Sequence, residues 1–215
     1  MAKRKVVSRG AKKSAKTAKS TRAKGRKAAS KTKAAAKRAA PAKRSGTAAR
    51  QAGASEKARA VELLEWVHKT TIALIDGFPA DKATFQTSPT DTHQMWTLGH
   101  LATSYSWFAS LVDGQFAPVP ENYLKLFGYQ SKPTGNAADY PPFDEVRACM
   151  TSAYQRLVDA IAGQGESDLH RPTATDSHGF AKDRLDVVYK TVWHDGWHSG
   201  QISTLRRALE LPALM

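Results

Sequence analysis

From Ser8 to Ala60 the chain contains no Val, Ile, Leu, Met, Phe, Trp or Tyr. A segment so poor in large apolar side chains cannot bury enough surface to offset the entropy of ordering it. Any core this 215-residue protein builds must come from the residues that follow. The same boundary divides the charge. Residues 1–50 hold 19 of the 33 Lys and Arg and none of the 19 Asp and Glu, the first acid being Glu56. The remainder has 14 basic against 19 acidic residues, a balance of −5. The net charge of +14 therefore belongs to a tail, and a uniformly basic globule is excluded.

Two units follow: a disordered Lys/Arg/Ala-rich tail over residues 1–53 and a single domain over residues 54–215, long enough for its own core. Alanine and lysine favour helix, but like charges spaced four apart oppose it. A cationic polymer of this kind binds phosphates through counterion release, without regard to sequence. Lacking aromatic residues, it has nothing to stack on bases. Its composition resembles the Lys/Ala/Pro-rich tails of linker-histone-like proteins. That likeness implies non-specific nucleic acid as a partner and a nucleoid-associated location.

Cysteine and hydropathy narrow the class further. Cys149 stands alone, so neither an internal disulfide framework nor a cysteine-based zinc site is available. No apolar run approaches the ~20 residues of a membrane span, which gives no membrane partner. The basic N-terminus is not followed by the apolar segment of a secretory signal, so a cytoplasmic protein is expected.

After Ser55 the hydrophobic period becomes helical. Ser55 can cap a helix with Val61, Leu64, Ile72 and Ile75 on one side, ended by Gly77 and Pro79. A second helix is predicted from about Thr92 to Val112, its stripe being Leu98, Leu101, Tyr105, Phe108 and Val112, with Gly114 as the stop. A third starts near Pro142 and carries Phe143, Val146, Met150, Tyr154, Leu157 and Ile161. The fourth runs from about Lys182 to Leu211 with Leu185, Val188, Val192, Ile202, Leu205 and Leu209. Segments 114–142 and 163–181 read as connections rich in Pro, Gly, Asn, Asp and Ser, and no run alternates with period two. The expected fold is all-α, a four-helix bundle with a long connection between helices 2 and 3.

The chemistry rests on histidine. His194 and His198 stand at i and i+4, which on a helix puts their Cβ atoms about 5–6 Å apart on one face. Their sector of the helical wheel is that of Leu205 and Leu209, where the interior should lie. Imidazoles facing an apolar interior need partners. A shared metal supplies one kind, and ordinary hydrogen bonds to a neighbouring helix supply the other. The stretch His194-Asp195-Gly196-Trp197-His198 lacks the glutamate of a zincin motif.

The longer run His194-Asp195-Gly196-Trp197-His198-Ser199-Gly200-Gln201-Ile202, followed by Leu205-Arg206-Arg207 and Leu211-Pro212, resembles the last helix of DinB/YfiT-like proteins. Glu210 stands where that family often has Gly. Upstream, Trp96-Thr97-Leu98-Gly99-His100-Leu101 is similar to the family's second-helix segment and supplies a third histidine. The resemblance spans residues 56–212 and leaves the tail untouched. It implies the DinB/YfiT-like form of the bundle and a divalent metal held by His100, His194 and His198. Gln201 would back the ligands or contact substrate, and Gly200 would permit a close helix or ligand approach.

Three neutral histidines leave an ion with open positions, as in catalytic rather than structural sites. By resemblance, the expected protein is a metal-dependent enzyme of the transferase or hydrolase type, with zinc or nickel activating a water or a low-molecular-weight thiol for a small-molecule substrate. No residue has a claim as general base. A homodimer is expected, and the rival class is a non-catalytic dimerising bundle whose tail coats nucleic acid. Of the other histidines, His68 is expected to be a hydrogen-bonded core residue and His93 a cap or surface residue. His170 and His178 fall in connections, from which either could still reach the site, and Trp96, Trp107, Trp193 and Trp197 are expected to pack or to line a pocket.

Overall fold

The computed structural model describes residues 54–214, and the basic tail read over residues 1–53 lies outside them. Within the described residues all regular structure is helical. Four long helices are present: α1 (Glu56–Asp76), α2 (Gln94–Asp113), α4 (Phe143–Ala162) and α6 (Arg184–Ala208). Two short ones, α3 (Glu121–Phe127) and α5 (Glu166–Leu169), sit inside segments that the sequence reads as plain connections. Their turns are too short for a periodic apolar stripe to announce them. None of the helices is long and apolar enough to cross a membrane.

Local chemistry sets the helix ends. Ser55 accepts a hydrogen bond from the Ala58 amide (3.1 Å), and Asp183 accepts one from the Asp186 amide (2.7 Å), so each satisfies an otherwise unpaired first-turn donor. Gly114 closes α2 in the left-handed region, φ 88°, with its amide on the Ser110 carbonyl. The fourth helix stops at Ala208, three residues earlier than expected, because Glu210 turns to φ 54° ahead of Pro212.

Packing is dominated by α2 against α4 and α1 against α6, with α2 also crossing α6 and carrying α3. Helix α2 is central, with 17 of its 20 residues buried. Its many Ser, Thr, Ala and Gly side chains make that tolerable, since neighbours can approach on all sides. In α1 the buried stripe is Ala60, Leu64, Val67, His68, Thr71, Leu74 and Ile75, one step around from the expected one, so Val61 and Ile72 are only half-buried. In α4 the expected Val146, Met150, Leu157 and Ile161 are buried.

A polar cluster interrupts the apolar core. His68 of α1, Tyr105 of α2, Tyr154 of α4 and Asp195 of α6 meet there, one residue from each long helix. The Tyr105 hydroxyl donates to Asp195 Oδ2 (2.8 Å), and His68 Nδ1 lies 3.3 Å from that hydroxyl and 3.6 Å from the same carboxylate oxygen. The His68 ring stacks on Tyr154, centroids 3.3 Å apart. Burial raises the Asp195 carboxyl above the ordinary range, opposed by its bonds from His68 and Tyr105.

A second long-range tie joins α6 to α1. The buried Arg206 guanidinium donates to the Leu74 carbonyl (3.1 Å) and the Pro212 carbonyl (2.9 Å), while α1 has no basic residue in its own last turn. A cation from another helix thus satisfies carbonyls at the negative end of α1. A Cβ at Gly77 would lie 2.6 Å from Arg206 Nη1, so any larger residue there would make the guanidinium shift. Arg206→Met should lower unfolding stability by about 2–3 kcal/mol, since it strands a buried carbonyl and removes a charge-assisted bond; urea titration of the two proteins measures it.

Candidate metal centre

The second helix begins one residue after His93, and His93 itself is the cap. Its Nδ1 accepts from the Trp96 amide (3.1 Å), leaving Nε2–H to donate to the Thr134 carbonyl (2.8 Å). The ring is wholly buried, so it serves as a cap and not as a surface residue. Two turns on, the helix carries His100 toward α6, where His194 and His198 project from successive turns. One ligand nitrogen from each of the three lies within 4.8 Å of the others. The ring centroids are 5.2 Å apart for His100 and His194, 5.0 Å for His100 and His198, and 4.6 Å for His194 and His198.

Outer hydrogen bonds decide which nitrogens are free. His100 Nδ1–H donates to the Phe127 carbonyl (2.8 Å), so its proton is on Nδ1 and the Nε2 lone pair points inward. His198 Nδ1–H donates to Gln201 Oε1 (2.7 Å), with the same consequence. His194 has no such support. Its Nε2 lies 3.3 Å from His100 Nε2, and its buried Nδ1 has no hydrogen-bond partner among the described residues.

Electrostatics favours three neutral rings. Burial pushes His194 down to about 2, helped by the neighbouring charges of His198 and His100. Burial, then His100, pushes His198 to about 4, against the bond to Gln201. Burial also lowers His100, against its bond to the Phe127 carbonyl. At neutral pH all three therefore present lone pairs, the form in which imidazole binds metal. Convergent neutral nitrogens, two of them fixed in tautomer from behind and one ring short of a partner, fit a divalent ion.

The surroundings are aromatic. Trp96 stacks on His100, centroids 4.6 Å apart and planes 10° apart, and its indole N–H reaches Ser131 Oγ (2.8 Å). Phe108 meets His194 edge-on (5.4 Å). A cavity of about 890 Å³ opens over the three histidines, and its wall includes Trp107, Phe180, Trp193 and Trp197. His178 and Gly179, at φ 48° and 80°, turn the 177–180 segment so that Phe180 stacks on Phe108 (5.1 Å, 9°). His178 thus joins the wall, whereas His170 pairs with Glu56 away from it.

Several sequence readings need correction. Gly200 makes no close helix contact: an added Cβ would meet nothing within 4 Å among the described residues. The glycine that does so is Gly99, where a Cβ would fall 2.2–2.4 Å from the Phe127 ring. Trp193 and Trp197 take the second of their two expected roles and line the cavity, each 58 % exposed and the two edge to face at 5.4 Å. The Phe127 carbonyl was invisible in the sequence, because a backbone acceptor leaves no residue-type trace. Gly99, beside a histidine in mid-helix, was the one available signal.

These features define a class: an all-α protein with three neutral histidines, one buried and two half-buried, from two helices, grouped within 4.8 Å under an aromatic cavity. The sequence model of the DinB superfamily matches residues 63–202, well over half the chain, and the protein belongs to that family. A search of curated proteins finds no match.

Gly99→Ala should cost about 1–3 kcal/mol through overpacking against Phe127. It should also weaken zinc binding, because the displaced Phe127 carbonyl no longer orients His100. Paired thermal melts and zinc titrations check both effects.

Proposed function

We propose that the domain over residues 54–215 is a divalent-metal-dependent enzyme in which His100, His194 and His198 hold the ion. The observation that carries this reading is the grouping of three uncharged imidazoles, with nitrogens within 4.8 Å, at one side of a large cavity. When bound, an ion such as zinc or nickel supplies Lewis acidity that brings a water or a low-molecular-weight thiol toward neutrality as a nucleophile. The protein's own contribution is positioning. Phe127 and Gln201 hold the Nδ1 protons of His100 and His198, keeping the Nε2 lone pairs aimed inward. Trp96, stacked on His100, and Phe108, edge-on to His194, fix the planes of those two rings. Thiol-dependent transfer to an electrophile is the reaction class we favour, on the family's account. Asp195 is committed to Tyr105 and His68 on the far side of α6 and does not line the cavity, so the base role goes to no carboxylate.

Metal analysis of the purified protein tests the assignment. Wild type should carry about one equivalent of zinc. Each single His→Ala variant should lose most of it, and Gln201→Ala should weaken binding by about 10–100-fold. Full occupancy in the triple variant would sink the site.

A second reading concerns residues 1–53 and rests on 19 Lys and Arg without one acid among the first 50 residues. We propose that this segment attaches the enzyme to nucleic acid without sequence preference. Full-length protein should bind duplex DNA with an affinity that falls steeply with salt, and a 54–215 fragment should not. Equal affinity of the two would remove the tail from the account.

A further inference from the structure

The cavity over the three histidines is large and carries no fixed charge. At about 890 Å³ it stands in the upper part of the about 300–1,000 Å³ range of small-molecule sites. Among the described residues, no Lys, Arg, Asp or Glu side chain lines it. The surface it presents is mostly apolar, from Trp96, Trp107, Phe108, Phe180, Trp193 and Trp197. Polar atoms gather at one place, where the histidines and Gln201 stand. The rest of the wall offers only small hydroxyls such as Thr103 and Ser104, together with Tyr129 and the exposed His178.

Charge arithmetic narrows the occupant. A carboxylate or phosphate on the body of a ligand would lose hydration against indole and phenyl faces and find no cationic side chain in return. An ammonium would find no carboxylate, and would meet the positive charge of a divalent ion held by neutral ligands. One donor atom at the histidine end is the polar feature this cavity rewards. The exposed edge-to-face pair Trp193 and Trp197 extends the apolar wall to the surface, where a flat body can slide in.

We propose that the cavity takes a substrate with an uncharged aromatic or aliphatic body and a single metal-seeking head, and that Trp193 and Trp197 select that body. This rests on the metal reading for the head, but the choice of body is a property of the walls alone.

Two thiols with the same head and opposite bodies separate the cases: benzyl mercaptan, neutral and aromatic, and mercaptosuccinate, a dicarboxylate. Binding to the full-length protein is followed by tryptophan fluorescence with and without metal, and by the thiolate-to-metal absorption band after loading with cobalt. Metal content is assayed on the same samples. Benzyl mercaptan should bind at least about ten-fold tighter than mercaptosuccinate in both forms, a gap set by the carboxylate desolvation. The Trp193→Ala/Trp197→Ala variant should lose that preference while keeping its metal. Both residues are largely exposed, so the fold should tolerate the change. Trp197→Arg should shift preference toward mercaptosuccinate.

Equal or tighter binding of mercaptosuccinate by wild type overturns the proposal, as does failure of either thiol to bind. So does a double variant that keeps the preference and instead changes oligomeric state, which would make the tryptophan pair an interface. Loss of the cobalt band and of metal content, with the fluorescence preference intact, would overturn the metal reading and leave this one standing.

Discussion

Helix α6 must bury polar groups on two sides at once, and much of the molecule answers that requirement. Toward the centre it sends Asp195, and toward the cavity it sends His194 and His198. Neither set is tolerable inside without partners. Helix α2 supplies both: Tyr105 donates to Asp195, and His100 faces His194. A helix serving two polar sites on a neighbour while packing on α4 and α3 has little surface left for solvent. That is why α2 is buried along nearly its whole length and why it is built of small residues.

The two polar sites differ in what they face, one enclosed among four helices and the other open to a cavity. In the enclosed cluster His68, Tyr105 and Asp195 Oδ2 bond one another and Tyr154 stacks on the histidine, while Asp195 Oδ1 and the Tyr154 hydroxyl have no partner among the described residues. It ties four helices together in a way apolar contacts alone would not specify. The histidine group is satisfied from behind but not in front. Phe127 and Gln201 orient two rings, yet the third keeps a buried nitrogen without a partner, and all three are held uncharged. An incomplete buried polar group beside an open cavity marks the place where a ligand belongs.

The aromatic wall follows from the same economy of charge. An ion held by three neutral ligands keeps its positive charge, which acts on whatever enters. Surrounding it with indole and phenyl faces lowers the local dielectric and strengthens that action. The segments that complete the wall, 124–129 and 177–180, come from outside the four long helices. Their placement depends on Phe127 pressing on Gly99 and on the left-handed turn at His178 and Gly179.

The sequence by itself determined the four long helices and the placement of His194 and His198 on one face. Helical period and end signals placed all four long helices to within a few residues, because residues such as Ser55 and Gly114 act on their own neighbours. The pair His194 and His198 was legible because helix geometry alone puts i and i+4 on one face. His100 could be added only by resemblance, since nothing local links it to α6. Tertiary structure decided the rest. Asp195 looked idle until α1, α2 and α4 brought His68, Tyr105 and Tyr154 around it, contacts that no local pattern encodes. The roles of Gly99 and Gly200 exchanged for a similar reason. Whether a glycine is needed depends on what lies opposite, and only the packed chain puts Phe127 opposite one and open space opposite the other.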